Sequence, residues 1–296
     1  RELRIQSTAD AAAGLVALLR SPNLVRLERL ALTCPLPQAV VDAMTACPAL
    51  DGMTSLTLYP VASLQSRAAD VTALLRSPRL SRLRELALGG VVADAEAIGA
   101  LSLTSLTLSG GTKLGAKGAT TLAKAEACAH LRTLRLAGVD IPDKELLVLL
   151  GSPRLEKLRA LTLEQMLNGK KLAAALDDLA RAALRELGFS ASPLREEGAE
   201  ALVAARDKLV RLTKLGLEGA ALKDTGAIAL AGLALPALST LDLDGNAIGP
   251  AGMAALGAGP LLSTVRDLSL RKNKCGTEGG LALAKAKRLG GLRRLE

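Results

Sequence analysis

Oxygen-bearing side chains at alternate positions open the stretch Asp242-Leu243-Asp244-Gly245-Asn246, as they do at the start of a calcium loop. A helix-loop-helix calcium site needs D-x-[DN]-x-[DN]-G, then a bidentate Glu at its twelfth position. Counted from Asp242, the sixth position is Ala247 and the twelfth is Met253. The glycine that bends such a loop and the carboxylate that closes it are both missing. A second stretch, GGTKLGAKGATTL (110–122), suggests a phosphate-binding loop, but that motif needs Lys directly after its last Gly. Here Gly115 is followed by Ala116, then Lys117 and Gly118. Cys128 and His130 are close enough in sequence for a nucleophile–base pair, yet they precede Leu131 at an expected helix-to-strand turn. The four cysteines (Cys34, Cys47, Cys128, Cys275) form no C-x-x-C pair, and His130 is the only histidine. They read as small unpaired hydrophobes in a reducing cytoplasm. No catalytic group, metal ligand or cofactor site emerges, and the chain is expected not to be an enzyme.

The same stretches look different once their positions along the chain are compared. LVRLERLAL (24–32), LSRLRELAL (80–88), LEKLRALTL (155–163), LVRLTKLGL (209–217), LPALSTLDL (235–243) and LLSTVRDLSL (261–270) share one pattern, L-x-x-L-x-x-L-x-L, with Val265 at the second leucine position in the last. The first leucine of each terminal L-x-L serves as a marker. The markers are Leu3, Leu30, Leu56, Leu86, Leu106, Leu134, Leu161, Leu187, Leu215, Leu241, Leu268 and Leu295. They recur every 26 to 28 residues, except for intervals of 30 and 20 on either side of Leu86. That gives about eleven to twelve repeats over residues 1–296 in one solenoid.

Each repeat carries its own folding instructions. The L-x-L is a short strand with both leucines on one face. A turn follows, then a helix in which Gly118, Gly198, Gly226, Gly252 or Gly279 sits four residues after an apolar anchor. Three repeats stop the helix with LLRSPNL, LLRSPRL or LLGSPRL, because proline cannot continue it and biases the preceding Ser towards extended backbone. Strand and helix alternating at so short a period require a parallel sheet with helices on one side. One repeat cannot bury its own apolar face, so neighbours must stack. Helices are about 10–12 Å wide and strands about 4.8 Å apart. The expected fold is therefore an α/β horseshoe with a concave parallel sheet and convex helices. The core materials agree with thin stacked layers: 49% of residues are hydrophobic, with one Phe, one Tyr and no Trp.

These motifs resemble leucine-rich repeat proteins of the ribonuclease-inhibitor-like class, which pair L-x-x-L-x-L with a G-A-x-x-L-A helix. The Leu-Ala-Arg-Gly bias is similar to repeats from high-GC bacteria. The resemblance implies an Asn or Cys three residues after the second strand leucine, to hydrogen-bond the turn. Asn246 and Asn273 fit; Val61, Val91, Gly111, Val139, Met166, Ser192 and Ala220 do not. Looser or wetter turns are expected in the first eight repeats. Polar end caps are not evident, which suggests a segment of a longer protein. Phe189 occupies a strand-leucine position and is expected in the core.

What remains is surface. The expected partner-binding residues flank the strand leucines: Tyr59, Arg135, Glu164, Glu186, Lys214, Glu218, Asp242, Asp244, Asp267 and Arg271, with Glu85 and Thr162 beside them. Arg84, Arg132, Arg159, Arg185, Arg266 and Arg293 each lie two residues before a marker and would line one rim. The leading expectation is a cytoplasmic scaffold that binds a protein partner on the concave face. The resemblance also implies regulators of enzymes, such as small-GTPase activators, and sensor-type recognition domains. A net charge of +9 leaves open an acidic partner, nucleic acid or anionic membrane at the arginine rim. The missing aromatics count against nucleic acid, which is bound largely through stacking when single-stranded. No apolar run approaches the roughly 20 residues needed to cross a bilayer.

Overall fold

In each unit of the protein, every marker leucine lies in a strand and sits directly opposite the marker of the next strand. The computed structural model describes residues 1–7, 11–24, 26–60, 68–114, 117–179, 183–286 and 289–296. Val61, Gly115 and Ala116 lie outside the described residues. The chain divides into two compact units, Arg1–Lys157 and Leu158–Glu296.

The first unit holds parallel strands β1 (Glu2–Gln6), β2 (Arg29–Thr33), β3 (Ser55–Leu58), β4 (Glu85–Gly89), β5 (Ser105–Ser109) and β6 (Thr133–Ala137). They follow chain order, with Leu3, Leu30, Leu56, Leu86, Leu106 and Leu134 in register. Its helices are α1 (Ala12–Leu19), α2 (Gln38–Ala46), α3 (Thr72–Leu75), α4 (Ala95–Gly99), α5 (Gly118–Lys124) and α6 (Asp143–Leu150). The second unit repeats the plan with β7 (Ala160–Glu164), β8 (Glu186–Gly188), β9 (Lys214–Gly216), β10 (Thr240–Asp242), β11 (Asp267–Ser269) and β12 (Arg294–Leu295). Leu161, Leu187, Leu215, Leu241, Leu268 and Leu295 are again in register. Helices α7 (Gly169–Asp178), α8 (Arg195–Ala204), α9 (Lys223–Ala231), α10 (Pro250–Ala258) and α11 (Gly276–Ala284) alternate with them.

Burial alternates along the strands. In β6, Leu134 and Leu136 are buried while Thr133 and Arg135 are exposed. One sheet face is thus covered by the helical layer and the other is open, as the period of two requires. Phe189 is fully buried in the covered layer.

The helix-entry glycines have a specific cause. A Cβ on Gly198 would lie 2.5 Å from Leu194 Cβ, and one on Gly252 would lie 2.6 Å from Ile248 Cγ2. The anchor four residues earlier occupies the space, so only hydrogen fits. The Ser-Pro stops also work as expected: α3 ends at Leu75, and Ser77 Oγ accepts from Arg79 N to open the following 3-10 turn. Ser152 does the same for Arg154 N. In the irregular repeat the short helix is α4, capped by Asp94, whose carboxylate accepts from Glu96 N at 3.1 Å.

The expectation of loose turns is corrected at three places, beside Gly111, at Ser192 and around Val91. Thr112, next to Gly111, is buried and its hydroxyl donates to Leu88 O at 3.2 Å and Ser109 O at 2.7 Å. Ser192 is fully buried and donates to Leu163 O and Ser190 O, both at 3.3 Å. Around Val91 the backbone supplies the bonds: Val92 bridges Asp70 on one side and Lys113 on the other, in parallel. A short hydroxyl or an extra backbone ladder replaces the amide, since buried carbonyls must find donors somewhere.

Candidate interaction surface

The strand register sorts the open face of the second unit into rows. The residue before each marker forms the row Ala160, Glu186, Lys214, Thr240, Asp267, Arg294. The residue after each marker forms Thr162, Gly188, Gly216, Asp242 and Ser269. Glu186, Lys214 and Glu218 are exposed, and their side chains have no hydrogen bond or ion pair among the described residues. Between them Gly188 and Gly216 leave the strand backbone uncovered; a Cβ on Gly216 would meet nothing nearer than Gly188 Cα at 3.7 Å. The expected residues thus share one face with a bare floor that was not singled out from sequence. Its signal was available: the two glycines directly follow Leu187 and Leu215.

Three residues placed with them by sequence have other work. Asp244 Oδ1 accepts from Ser269 Oγ at 2.6 Å and from Arg271 N at 2.7 Å, tying one repeat to the next. Asp242 Oδ1 accepts from Asp244 N at 2.9 Å. Both acids are half-buried. They are turn supports as much as they are free acids, because a carboxylate accepting backbone N–H satisfies groups the turn leaves open. Arg271 pairs with Glu296 Oε2 at 2.8 Å. Asn246 is fully buried: its amide donates to Leu217 O, Leu243 O and Asp244 O at 2.7, 2.9 and 3.1 Å, and its oxygen accepts from Leu222 N. Asn273 repeats the arrangement one turn later and accepts from Asn246 N and Ile248 N. Read as the start of a calcium loop, these oxygens would be ligands; here they hold peptide N–H groups. Glu164 and Asp267 are half-buried on the same open face.

In the first unit, Tyr59 follows β3 and is half-buried. A Cβ on Gly89 would collide with the Tyr59 ring, its Cε1 at 2.8 Å. The ring lies across the neighbouring strand rather than projecting freely. Arg135 and Glu85 are exposed on the open face, and Thr162 is half-buried on that of the second unit. The arginines before the markers are all exposed. Arg84 donates to Leu83 O and Ser102 O at 3.2 and 3.0 Å, and Arg159 to Leu158 O and Ala183 O at 3.2 and 3.5 Å. Those two guanidiniums fasten the loop ahead of the next strand.

The Cys128–His130 pair does not form a nucleophile. Cys128 is buried and its thiol donates to Leu122 O at 2.9 Å, while His130 is exposed. Burial pushes the Cys128 thiol up to about 11, against a smaller lowering by Arg154. An activated cysteine requires the opposite shift.

A family model described as Leucine Rich repeat matches residues 235–257, which run from the end of one strand-approach loop through β10 and most of α10. The chain fits a leucine-rich repeat protein. The match covers the single copy with the Asn246 turn, the Gly252 helix entry and the in-register Leu241, and the other repeats carry the same strand and helix around it. No curated protein matches the chain significantly. Leucine-rich repeats commonly mediate protein–protein interaction, and their solenoids are generally non-enzymatic scaffolds. No helix among the described residues is long and apolar enough to cross a membrane.

Proposed function

We infer that the chain is a non-enzymatic scaffold that binds a protein partner on the open strand face of its second unit. One observation carries this reading: Glu186, Lys214 and Glu218 stand exposed and unengaged beside the uncovered backbone of Gly188 and Gly216. Charges held at fixed spacing on a rigid sheet give register and specificity to a partner, and the bare glycine floor admits close approach. The loop bonds made by Arg84 and Arg159 support the strand face over the arginine rim as the binding surface. The four free cysteines support a reducing compartment.

The test is affinity capture from native lysate with Glu186→Lys and Glu218→Lys combined, against Ile228→Lys on the exposed side of α9. Asp244 is left intact because its carboxylate holds the next turn. The strand-face variant should lose its captured partner about tenfold or more, as a like-charge clash at an interface costs several kcal/mol. Full capture by that variant, with loss in Ile228→Lys, overturns the assignment.

A further inference from the structure

Away from the strand face, on the loops that lead from helix to strand in the first unit, three arginines share one open cleft. Arg26, Arg79 and Arg82 line an open cleft of about 990 Å3 together with Asp51. Its apolar lining comes from Leu24, Pro48, Ala49 and Pro78, residues of successive Pro-containing helix stops. Two of the arginines are placed by different devices. Arg79 is held by Asp51, Nη1 to Oδ1 at 2.6 Å, and its own carbonyl accepts from Gly52 N at 3.3 Å. Gly52 is in the left-handed region at φ +86°, and the Arg26 guanidinium lies on its open side, Cζ 3.1 Å from where a Cβ would stand. Any side chain at that position would evict Arg26. Arg82 is exposed in the turn ahead of β4. Arg26 and Arg82 have no hydrogen bond or ion pair among the described residues.

Three guanidiniums against one carboxylate leave two net positive charges in the cleft. Like charges drawn together without acids to neutralise them cost free energy unless an anion joins them. A carboxylate would offset only half of that charge. A phosphate monoester, with a charge of about −1.5 to −2 at neutral pH and three acceptor oxygens, matches both the charge and the forked donors of arginine. The apolar proline and leucine lining would receive the carbon-bearing group attached to it. We propose that this cleft binds a phosphate monoester, with Arg26 and Arg82 as its principal ligands and Arg79 as an anchored third.

The test uses the whole chain and three probes at pH 7.5: inorganic phosphate, a phosphoserine peptide, and acetate as a monoanion control. Binding is followed by calorimetry and by amide shifts of residues 49–52 and 79–82. Arg26→Gln and Arg82→Gln should each weaken phosphate about tenfold, the loss expected for one charge-assisted contact pair. Asp51→Asn should strengthen it, because it removes the competing acid. Both arginines are exposed, so an unchanged thermal midpoint shows that the variants fold. A peptide that binds more tightly than free phosphate assigns the site to phosphorylated side chains; the reverse order assigns it to small phosphate esters. Acetate binding equal to phosphate, or phosphate binding unchanged in both arginine variants, overturns the proposal.

Discussion

Asn246 ties its repeat to the preceding one from a fully buried position in the second unit. Three carbonyls and one N–H end on a single amide with no exposed surface. Asn246→Ala should therefore destabilise the protein by about 2–4 kcal/mol in urea unfolding, because buried partners are left unsatisfied. Thr112→Val removes one hydroxyl serving two carbonyls and should cost less, about 1–2 kcal/mol. That ordering tests the claim that short hydroxyls replace the amide in earlier repeats. The cysteines give a second prediction at this scale. Half-buried Cys275 should react first with a thiol reagent at pH 8, and buried Cys34, Cys47 and Cys128 only on unfolding. The unfolded Cys128 thiol ionises near the ordinary thiol value of 9.0, whereas the folded one keeps its proton to about 11. The unfolded state thus binds fewer protons across that window. Stability from this group is complete below pH about 9 and falls as pH rises towards about 11.

At the scale of the element, helix α10 is started by its neighbour. Asp224 belongs to α9, yet its Oδ1 accepts from Gly249 N at 2.6 Å and Gly252 N at 3.0 Å, at the N-terminus of α10. A carboxylate there satisfies open N–H groups and complements the helix dipole. Asp224→Ala should cost about 1 kcal/mol, the usual loss for a cap. Gly252→Ala is expected to cost more, about 1–3 kcal/mol, through overpacking. Its new methyl would meet Ile248 Cγ2 at 2.6 Å, Asp224 Oδ1 at 2.7 Å and Ala227 Cβ at 3.0 Å. Thermal unfolding of the single and double variants checks the coupling. Because the methyl would also displace the cap, the double variant should lose less than the sum of the two. The glycine's position was legible four residues after an anchor, but the neighbouring carboxylate was not. Nothing in the order Lys223-Asp224-Thr225 says that this acid turns towards the following helix.

At the scale of the whole molecule, stability in a repeat array is close to a sum of repeat and nearest-neighbour terms. Hydrogen exchange should report this directly in the second unit. Asn246→Ala should release the amide of Leu222 first, since that N–H is held by the Asn246 side chain, while Ile248 N, held by Asn273, stays protected longer. Uniform loss of protection across all strands of that unit would instead indicate one cooperative block.

The order and spacing of the leucines determined the strands by themselves, because burial with a period of two leaves one register in which all markers face inwards. The twelve markers, Leu3 to Leu295, each occur in a strand. The helix-entry glycines and Ser-Pro stops were legible for the same local reason: they act within four or five residues of themselves. Tertiary structure decided what many of the polar residues do, because partners such as those of Asp244 lie a full repeat away. Asp242 and Asp244 looked like ligands and then like free acids, and the fold spends them on Asp244 N, Ser269 and Arg271 N. Tyr59 looked like a projecting anchor until Gly89 gave its ring a place to lie. Arg26, Arg79 and Arg82 stand 53 and 3 residues apart and carry no motif; stacked loops make them one cleft.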